Sequence, residues 1–576
     1  MTRGTLRISF NGEIYNYRSL RRELQSHGHR FHTETDTEVL LAAWQQWGPG
    51  ALGRLEGMFA FALWDAADRA LWLVRDRVGK KPLHYWLDRD GVAFASEPKA
   101  FLADPAFVVE PNPTAIYHYL SLQYVPTPHS AFAGVHRVPP GHFLRVRDGR
   151  IAVERYWQLT FEPTHALDEP AALAELERLL RAAVTKRLVS DVPLGAFLSG
   201  GIDSSLVVAF MAAASPVPVR TFSIGFHEAR FNELPWARQI ADRYRTEHQE
   251  FIVTPDAMAL LPRLVWHYNE PYADSSAVPT WCLAELTRRS VTVALTGDAG
   301  DEAFAGYDRY RASVLAARLD VLPRPIRAIA ASAARHLPAP GAIRVLARAR
   351  RFLLGLALEP DVRYAAWMMD LETAAKHHLC TPEFVEAAGA PPSESLLAGR
   401  FRQSNASTLV DRLLDVDVET YLPDDLLVKV DIATMAHGLE ARSPFLDHDV
   451  LAFAARLPVA MKLRGGTQKY LLRRLARDRL PAAAIARRKK GFGVPLDAWF
   501  RRELRDLSRD VLLGSAARSR GYFDLAVVRR YLDDHLSGRQ SRGIRLWNLL
   551  MLELWHQTFV DRRAAPGAAA VTGSPA

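Results

Sequence analysis

Leu198 to Ser205 reads LSGGIDSS, a set of residue types suited to holding an anion. An apolar run, Val192 to Leu198, leads straight into Ser199-Gly200-Gly201, and the spacing predicts a helix from about Asp203. Two glycines let the backbone turn tightly and aim its N–H groups at a phosphate, while the helix N-terminus adds partial positive charge. The stretch lacks the GxxxxGK[ST] spacing and lysine of a Walker loop, which argues against a generic γ-phosphate-hydrolysing ATPase. Asp203 is a poor neighbour for bare phosphate but suits a Mg²⁺ that bridges to it. Taken alone, the stretch also fits an ordinary glycine turn with aspartate as helix cap.

A second junction narrows the choice. VTVALTGDAGDEAFAGY, Val291 to Tyr307, again sets an apolar strand ahead of a glycine-rich loop, this one carrying Asp298, Asp301 and Glu302. In a parallel sheet, ligands bind beyond the carboxyl ends of the strands, so both loops are expected to face one crevice. A third junction, TFSIGF at Thr221 to Phe226, can place backbone against a nucleobase. Carboxylates facing a phosphate loop point to a metal-nucleotide site.

The elements that must position these loops fall into two regimes. Up to about Val146 the chain reads as short strands with turns, FAFALWD, LWLVRD, LHYWL and VAFAS among them. At its start, Leu6 to Phe10 reads as a strand running into a polar turn built on Asn11, Gly12 and Glu13. From about Pro170, helical periods such as ALAELERLLRAAVTKRL alternate with short buried strands, which predicts a parallel sheet covered by helices on both faces. Beyond about Tyr310 the chain is mainly helical, and the end AAPGAAAVTGSPA is expected to be disordered.

Composition bounds the answer further. With 576 residues the chain exceeds the roughly 250 to 300 residues at which single cores stop growing, so at least two domains are expected. Its longest apolar runs are too short to span a bilayer and no signal pattern opens it, so a cytoplasmic protein with no membrane partner is expected. The net charge of +9 comes from scattered basic residues alternating with acids or alanine, which fits a solvated surface better than a nucleic-acid stripe. Cys282 and Cys380 are expected to be inert buried thiols. His27, His29 and His32 fall between a predicted helix and a predicted strand with no fourth ligand nearby, and are expected to be structural, as are His377 and His378.

LSGGIDSS, LTGDAGDEAFAGY, NEPYADSSAVPT (Asn269 to Thr280), KVDIATMAHGLEARSPFLD (Lys429 to Asp447) and RRKKGFGVPLDAWF (Arg487 to Phe500) resemble the synthetase domain of glutamine-hydrolysing asparagine synthetases. NGEIYN, TETDTEVLL, RLEGMFAFALWD, RDRVGKKPLHY and FASEPKAFL resemble the glutaminase domain of the same enzymes. The resemblance runs from about Ile8 to about Trp555. It implies an α/β and α+β protein: residues 1–155 form an Ntn-type layered β-sheet glutaminase (class II amidotransferase) domain lacking its N-terminal segment. Residues 170–560 form a parallel-sheet, PP-loop ATP-pyrophosphatase-like synthetase domain, and 561–576 a disordered tail. The implied reaction converts ATP, aspartate and glutamine to asparagine, glutamate, AMP and pyrophosphate through β-aspartyl-AMP. ATP and Mg²⁺ are the implied cofactors. The partners are small molecules, with a second copy of the chain kept among the candidates.

The resemblance also assigns roles. Ser199, Gly200, Gly201, Ser204 and Ser205 cradle pyrophosphate, Asp203 and Asp301 hold Mg²⁺, and Leu198, Ile224, Thr296 and Gly297 line AMP. Asp298 stands where the family more often has Glu and is implied as the base for incoming ammonia. Lys489 is implied to stabilise charge growing on the α-phosphate. Asn11 and Gly12 fill the two oxyanion positions of the glutaminase, and Glu13 and Asp36 grip the α-amino end of glutamine. The sequence departs from the family in lacking the cysteine nucleophile after the initiator methionine and an arginine that binds the substrate carboxylate. The expectation is therefore that Met1 is an artefact of start assignment, that the complete protein draws nitrogen from glutamine, and that this chain draws it from ammonia. Two other readings stand beside this one. The first is a related amidotransferase or β-lactam-synthetase-like ligase adenylating a different acid. The second is a non-catalytic binding descendant, which would be expected to have lost some of Ser199, Asp203, Asp301 or Lys489.

Overall fold

The computed structural model describes residues 1–88, 91–162, 167–254, 259–335, 344–487 and 493–561. Lys489 and the predicted disordered tail, apart from Asp561, lie outside the described residues.

The first half is layered. Strands β1 (Thr2–Arg3), β2 (Leu6–Ile14), β3 (Gly57–Asp65), β4 (Ala70–Arg75), β5 (His84–Asp88), β6 (Gly91–Ala95), β7 (Val135–Arg137), β8 (His142–Arg147) and β9 (Arg150–Arg155) form two antiparallel sheets, ordered β1-β2-β3-β4-β8-β9 and β6-β5-β7. The run FAFALWD in β3 is apolar at successive positions because both its faces are covered. Phe59, Phe61 and Leu63 join Leu20, Leu24, Val39 and Leu40 of the helices Tyr17–Ser26 and Asp36–Trp47, while Ala60 and Ala62 face Leu83 and Val138.

Two local expectations are corrected here. Asn11, Gly12 and Glu13 are not a turn: β2 continues through them to Ile14, pairing Asn11 with Ala60, Gly12 with Phe59 and Glu13 with Met58. Gly12 has φ +150°, and a Cβ there would lie 2.1 Å from the Met58 carbonyl oxygen, so the two backbones approach as only glycine allows. His27, His29 and His32 join two helices rather than a helix and a strand; His29 Nε2 meets Gln46 Oε1 at 2.8 Å.

The second half is built on a parallel sheet of β10 (Leu194–Phe197), β11 (Arg220–Phe226), β12 (Glu247–Val253), β13 (Val293–Leu295) and β14 (Glu440–Arg442), ordered β12-β11-β10-β13-β14. The chain leaves β10 for β11 on one side and returns to β13 on the other, so the strand order reverses beside β10. That reversal opens a crevice at the carboxyl ends, where the helix Ile202–Ala214 begins.

The halves share buried contacts. Helix Pro113–Leu122 packs into the same apolar cluster as Trp547 and Trp555, and the Tyr119 hydroxyl donates to the Asn548 carbonyl at 2.8 Å. Lys81 Nζ donates to Asp431 at 3.0 Å, and buried Arg137 pairs with Glu270.

Candidate active site

The loops after β10, β11 and β13 converge on a cavity of about 490 Å³. Its walls include Leu198, Ser199, Gly201, Asp203, Ser204, Ile224, Thr296, Gly297, Asp298 and Asp301, so the structure brings the three predicted junctions together. Gly200 and Ser205 are not on the wall: Gly200 turns against the Trp236 backbone, and Ser205 is fully buried in the following helix. The turn is preset by its own side chains. Ser199 Oγ and Ser204 Oγ lie 3.0 Å apart, and Gly201 N donates to Ser199 Oγ at 3.3 Å.

The acidic loop sits close over this turn because it is glycine-rich. A Cβ on Gly300 would meet Asp203 Cγ at 2.6 Å, and one on Gly306 would meet Asp301 Oδ1 at 1.9 Å. Asp203 and Asp301 thereby converge on Lys469, whose Nζ pairs with Asp203 Oδ2 and lies 2.7 Å from Asp301 Oδ1. Sequence reasoning missed Lys469. It follows a two-strand hairpin turned by Gly465 and Gly466 and itself holds φ +52°, and its only signal is the GGTQK string far from both carboxylates.

Other groups complete the walls. Asp298 accepts from Thr296 Oγ1 at 2.7 Å, and its backbone carbonyl accepts from Ser443 Oγ at 2.7 Å. Glu302 accepts from the Tyr307 hydroxyl, and burial together with the neighbouring Asp301 charge pushes its carboxyl up to about 7. Lys429 Nζ donates to Asp274 Oδ2 at 2.8 Å; burial raises the Asp274 carboxyl, but that ammonium outweighs it and holds the group below its ordinary value. Arg487 pairs with Glu233 and donates to the Ser199 carbonyl at 3.2 Å. Lys489 belongs to the stretch outside the described residues.

The predicted glutaminase residues lie along β2. Asn11 Nδ2 donates to Ser96 Oγ at 3.1 Å, and Asp36 Oδ2 accepts from Ile14 N at 2.9 Å. Burial, with Glu440 and Asp36 against Arg442, pushes the Glu13 carboxyl up to about 7; Arg442 Nη2, on β14, is 3.7 Å from Glu13 Oε2. Burial also raises Asp36. The two thiols differ in setting: Cys380 is buried and Cys282 only half-buried, and burial pushes them up to about 12 and about 11. Among the described residues no helix is long and apolar enough to cross a membrane.

Comparison with known proteins bears on the family of the chain. A family model described as asparagine synthase matches residues 175–557, and one described as a glutamine amidotransferase domain matches residues 1–157. The chain is similar to glutamine-hydrolyzing asparagine synthetase 1 of Bacillus subtilis (strain 168), at 33% identity over 562 residues, 97% of this chain and 86% of that one. It is 36% identical over 573 residues to a putative glutamine-hydrolyzing asparagine synthetase of Mycobacterium tuberculosis (strain ATCC 25618 / H37Rv), covering 97% and 85%. A more distant relative, the amidase chyE of Penicillium rubens, is 26% identical over 586 residues, covering 93% and 84%.

Proposed function

Because the chain belongs to the glutamine-hydrolysing asparagine synthetases, we propose that the cavity beyond β10, β11 and β13 is where it adenylates aspartate. The enzyme is a carbon–nitrogen ligase that amidates aspartate to asparagine with consumption of ATP. We assign the glutaminase to residues 1–155 and the synthetase to residues 170–560, a division supported by the family matches over residues 1–157 and 175–557.

In this reading Ser199, Gly201 and Ser204 present hydroxyl and N–H donors to the leaving pyrophosphate, while Leu198, Ile224, Thr296 and Gly297 flank the adenylate. Asp203 and Asp301 already share Lys469, and a pair of carboxylates converging in this way suits a hard divalent ion. They would hold Mg²⁺, which neutralises phosphate charge when bound. Lys469 then has the negative charge of pyrophosphate as its counter-ion. Asp298, oriented by Thr296 Oγ1, takes the proton from incoming ammonia, and Lys489 keeps the role of stabilising the α-phosphate. We assign aspartate to the part of the cavity that Ser275, Ser276 and Lys429 line.

On β2, the Asn11 side chain and Gly12 N–H form the oxyanion contacts of glutamine hydrolysis. Glu13 and Asp36 receive the substrate's α-ammonium, whose charge would offset the burial that raises both carboxyls.

The convergence of Asp203 and Asp301 on Lys469 at the mouth of the glycine turn carries this reading. Exchange of labelled pyrophosphate into ATP, measured across a panel of carboxylic acids, tests it. Aspartate-dependent exchange that Asp203→Asn abolishes is expected; exchange supported by another acid but not by aspartate overturns it.

A further inference from the structure

The net charge of +9 is not evenly spread along the chain. Residues 321–358 hold seven arginines, no lysine and no aspartate or glutamate, so this one stretch contributes +7. At the chain's average of 64 acids in 576 residues it would hold about four. The helices Arg324–Arg335 and Arg344–Gly355 take up most of it, and the helix Asp308–Leu319 stands just before it. Arg350 Nε donates to the Ala334 carbonyl at 3.2 Å and ties the two arginine-rich helices together.

One face of helix Arg324–Arg335 is committed to the protein. Arg327, Ala331 and Ala334, at i, i+4 and i+7, are buried, and Arg327 Nη1 donates to Asp320 Oδ1 at 3.0 Å and to the Leu356 carbonyl at 3.1 Å. Ile326, Ile329 and Ala333, at i, i+3 and i+7, therefore form a second stripe that turns away from the body. Ile326 is 50% exposed and Ile329 69%, and Val321, in the short connection before the helix, is 83% exposed. Six of the 20 exposed large hydrophobic side chains among the described residues fall between positions 315 and 346. Single apolar residues at a surface are ordinary, but such a concentration marks a contact surface.

Charge accompanies the apolar side chains. On helix Asp308–Leu319 the exposed Leu315 shares its stripe with exposed Arg311 and Arg318, at spacings of four and three. Arg318, Arg335 and Arg348 are exposed and make no ion pair among the described residues, whereas Arg324 is taken by Glu359 at 2.6 Å. Unpaired guanidiniums interleaved with exposed aliphatic groups match a surface that sets negative charge over an apolar interior, as an anionic bilayer does. A second copy of this surface would oppose like charge to like. A nucleic acid would engage the arginines and leave the isoleucines in water.

We propose that this acid-free segment docks the protein on an anionic phospholipid surface, with Val321, Ile326 and Ile329 entering the headgroup boundary and Arg318, Arg335 and Arg348 meeting the phosphates. Such contact is peripheral and stands independently of the reaction assigned to the cavity. Flotation of the full chain with vesicles of phosphatidylcholine and phosphatidylglycerol in equal parts, beside vesicles of phosphatidylcholine alone, tests it. Saturable binding to the mixed vesicles, about tenfold or more weaker to phosphatidylcholine alone, is expected. Ile326→Ser/Ile329→Ser should weaken it about tenfold or more with pyrophosphate exchange in solution unchanged, since the stripe packs against nothing in the protein. Arg335→Gln/Arg348→Gln is a second, independent probe and should weaken it about tenfold. No binding to either vesicle, or equal binding to both, overturns the proposal, and binding that the isoleucine replacements leave intact overturns the docking face. Tighter binding to double-stranded DNA than to the mixed vesicles assigns the charge to nucleic acid instead. Self-association that the isoleucine replacements abolish, without vesicle binding, assigns the stripe to a second copy; either result overturns the lipid surface.

Discussion

Lys469 Nζ lies 2.7 Å from Asp301 Oδ1 and also pairs with Asp203 Oδ2, so one ammonium bridges carboxylates delivered by two different loops. All three side chains are largely buried, which makes the balance of charge there a condition of the site's shape as well as of its chemistry. Removing one partner of a buried pair leaves an uncompensated charge at a cost of about 3–5 kcal/mol.

Lys469→Met should accordingly raise the affinity of the nucleotide-free protein for Mg²⁺, because the ion no longer competes with an internal cation. A gain of about fivefold or more by calorimetry is expected, together with a loss of pyrophosphate exchange of about 100-fold or more, as for a lost charge contact to the transition state. Unchanged or weaker Mg²⁺ binding would remove Asp203 and Asp301 as its ligands.

Gly306→Ala is a finer probe of the same cluster. The added methyl would stand 1.9 Å from Asp301 Oδ1 and 2.3 Å from Lys469 Cε, both side-chain atoms that can be pushed aside. The fold should survive with a loss of about 1–3 kcal/mol, typical of overpacking, while the carboxylate and ammonium are forced out of register. Activity falling more than tenfold with a folded far-UV spectrum is expected, and near-normal activity would show that the cluster's geometry is not limiting.

Much of this was legible in the sequence because the informative residues are local to their junctions. LSGGIDSS and LTGDAGDEAFAGY each carry strand, glycine turn and acid within one string, so their shared crevice followed from the parallel-sheet rule. Lys469 was not legible: it reaches Asp203 across 266 residues, and nothing in GGTQK distinguishes it from a surface lysine. Asn11-Gly12-Glu13 was misread for the opposite reason. Its residue types favour a turn, but nine consecutive pairs with β3 hold it extended, and tertiary pairing overrode local propensity.

Arg137 ties the halves together, and its loss should be felt as stability rather than chemistry. Its guanidinium pairs with Glu270, lies 3.8 Å from Asp424 and donates to the Val125 carbonyl at 2.8 Å, all of them buried. Arg137→Met should destabilise the protein by about 3–5 kcal/mol in urea unfolding. Adding Glu270→Gln should return part of that loss, because it removes the stranded charge. A double variant no more stable than the single one would show that the arginine acts through packing alone.

Lys376 provides a pH signature. Its Nζ is fully buried, donating to Ser393 Oγ at 2.6 Å and the Tyr117 carbonyl at 3.0 Å and lying 3.3 Å from the Tyr117 ring centroid. Burial pulls the ammonium down from 10.5 to about 7, with Glu394 and Cys380 opposing. The facing His118, Nδ1 2.8 Å from Ser393 Oγ, is itself pushed down to about 3, and Cys380 up to about 12, so neither titrates between 7 and 10. The folded pKa lies below the unfolded one, so between about pH 7 and 10.5 the unfolded chain holds a proton that the folded chain has released. Stability contributed by this group therefore rises with pH across that window, and the penalty is full below about pH 7. Lys376→Met removes the titration. Relative to the parent, the variant should be most favoured at pH 6 and lose that advantage steadily toward pH 10 in urea unfolding. A difference that stays constant with pH would place the lysine at its ordinary value and reduce the cluster to a hydrogen-bonded contact.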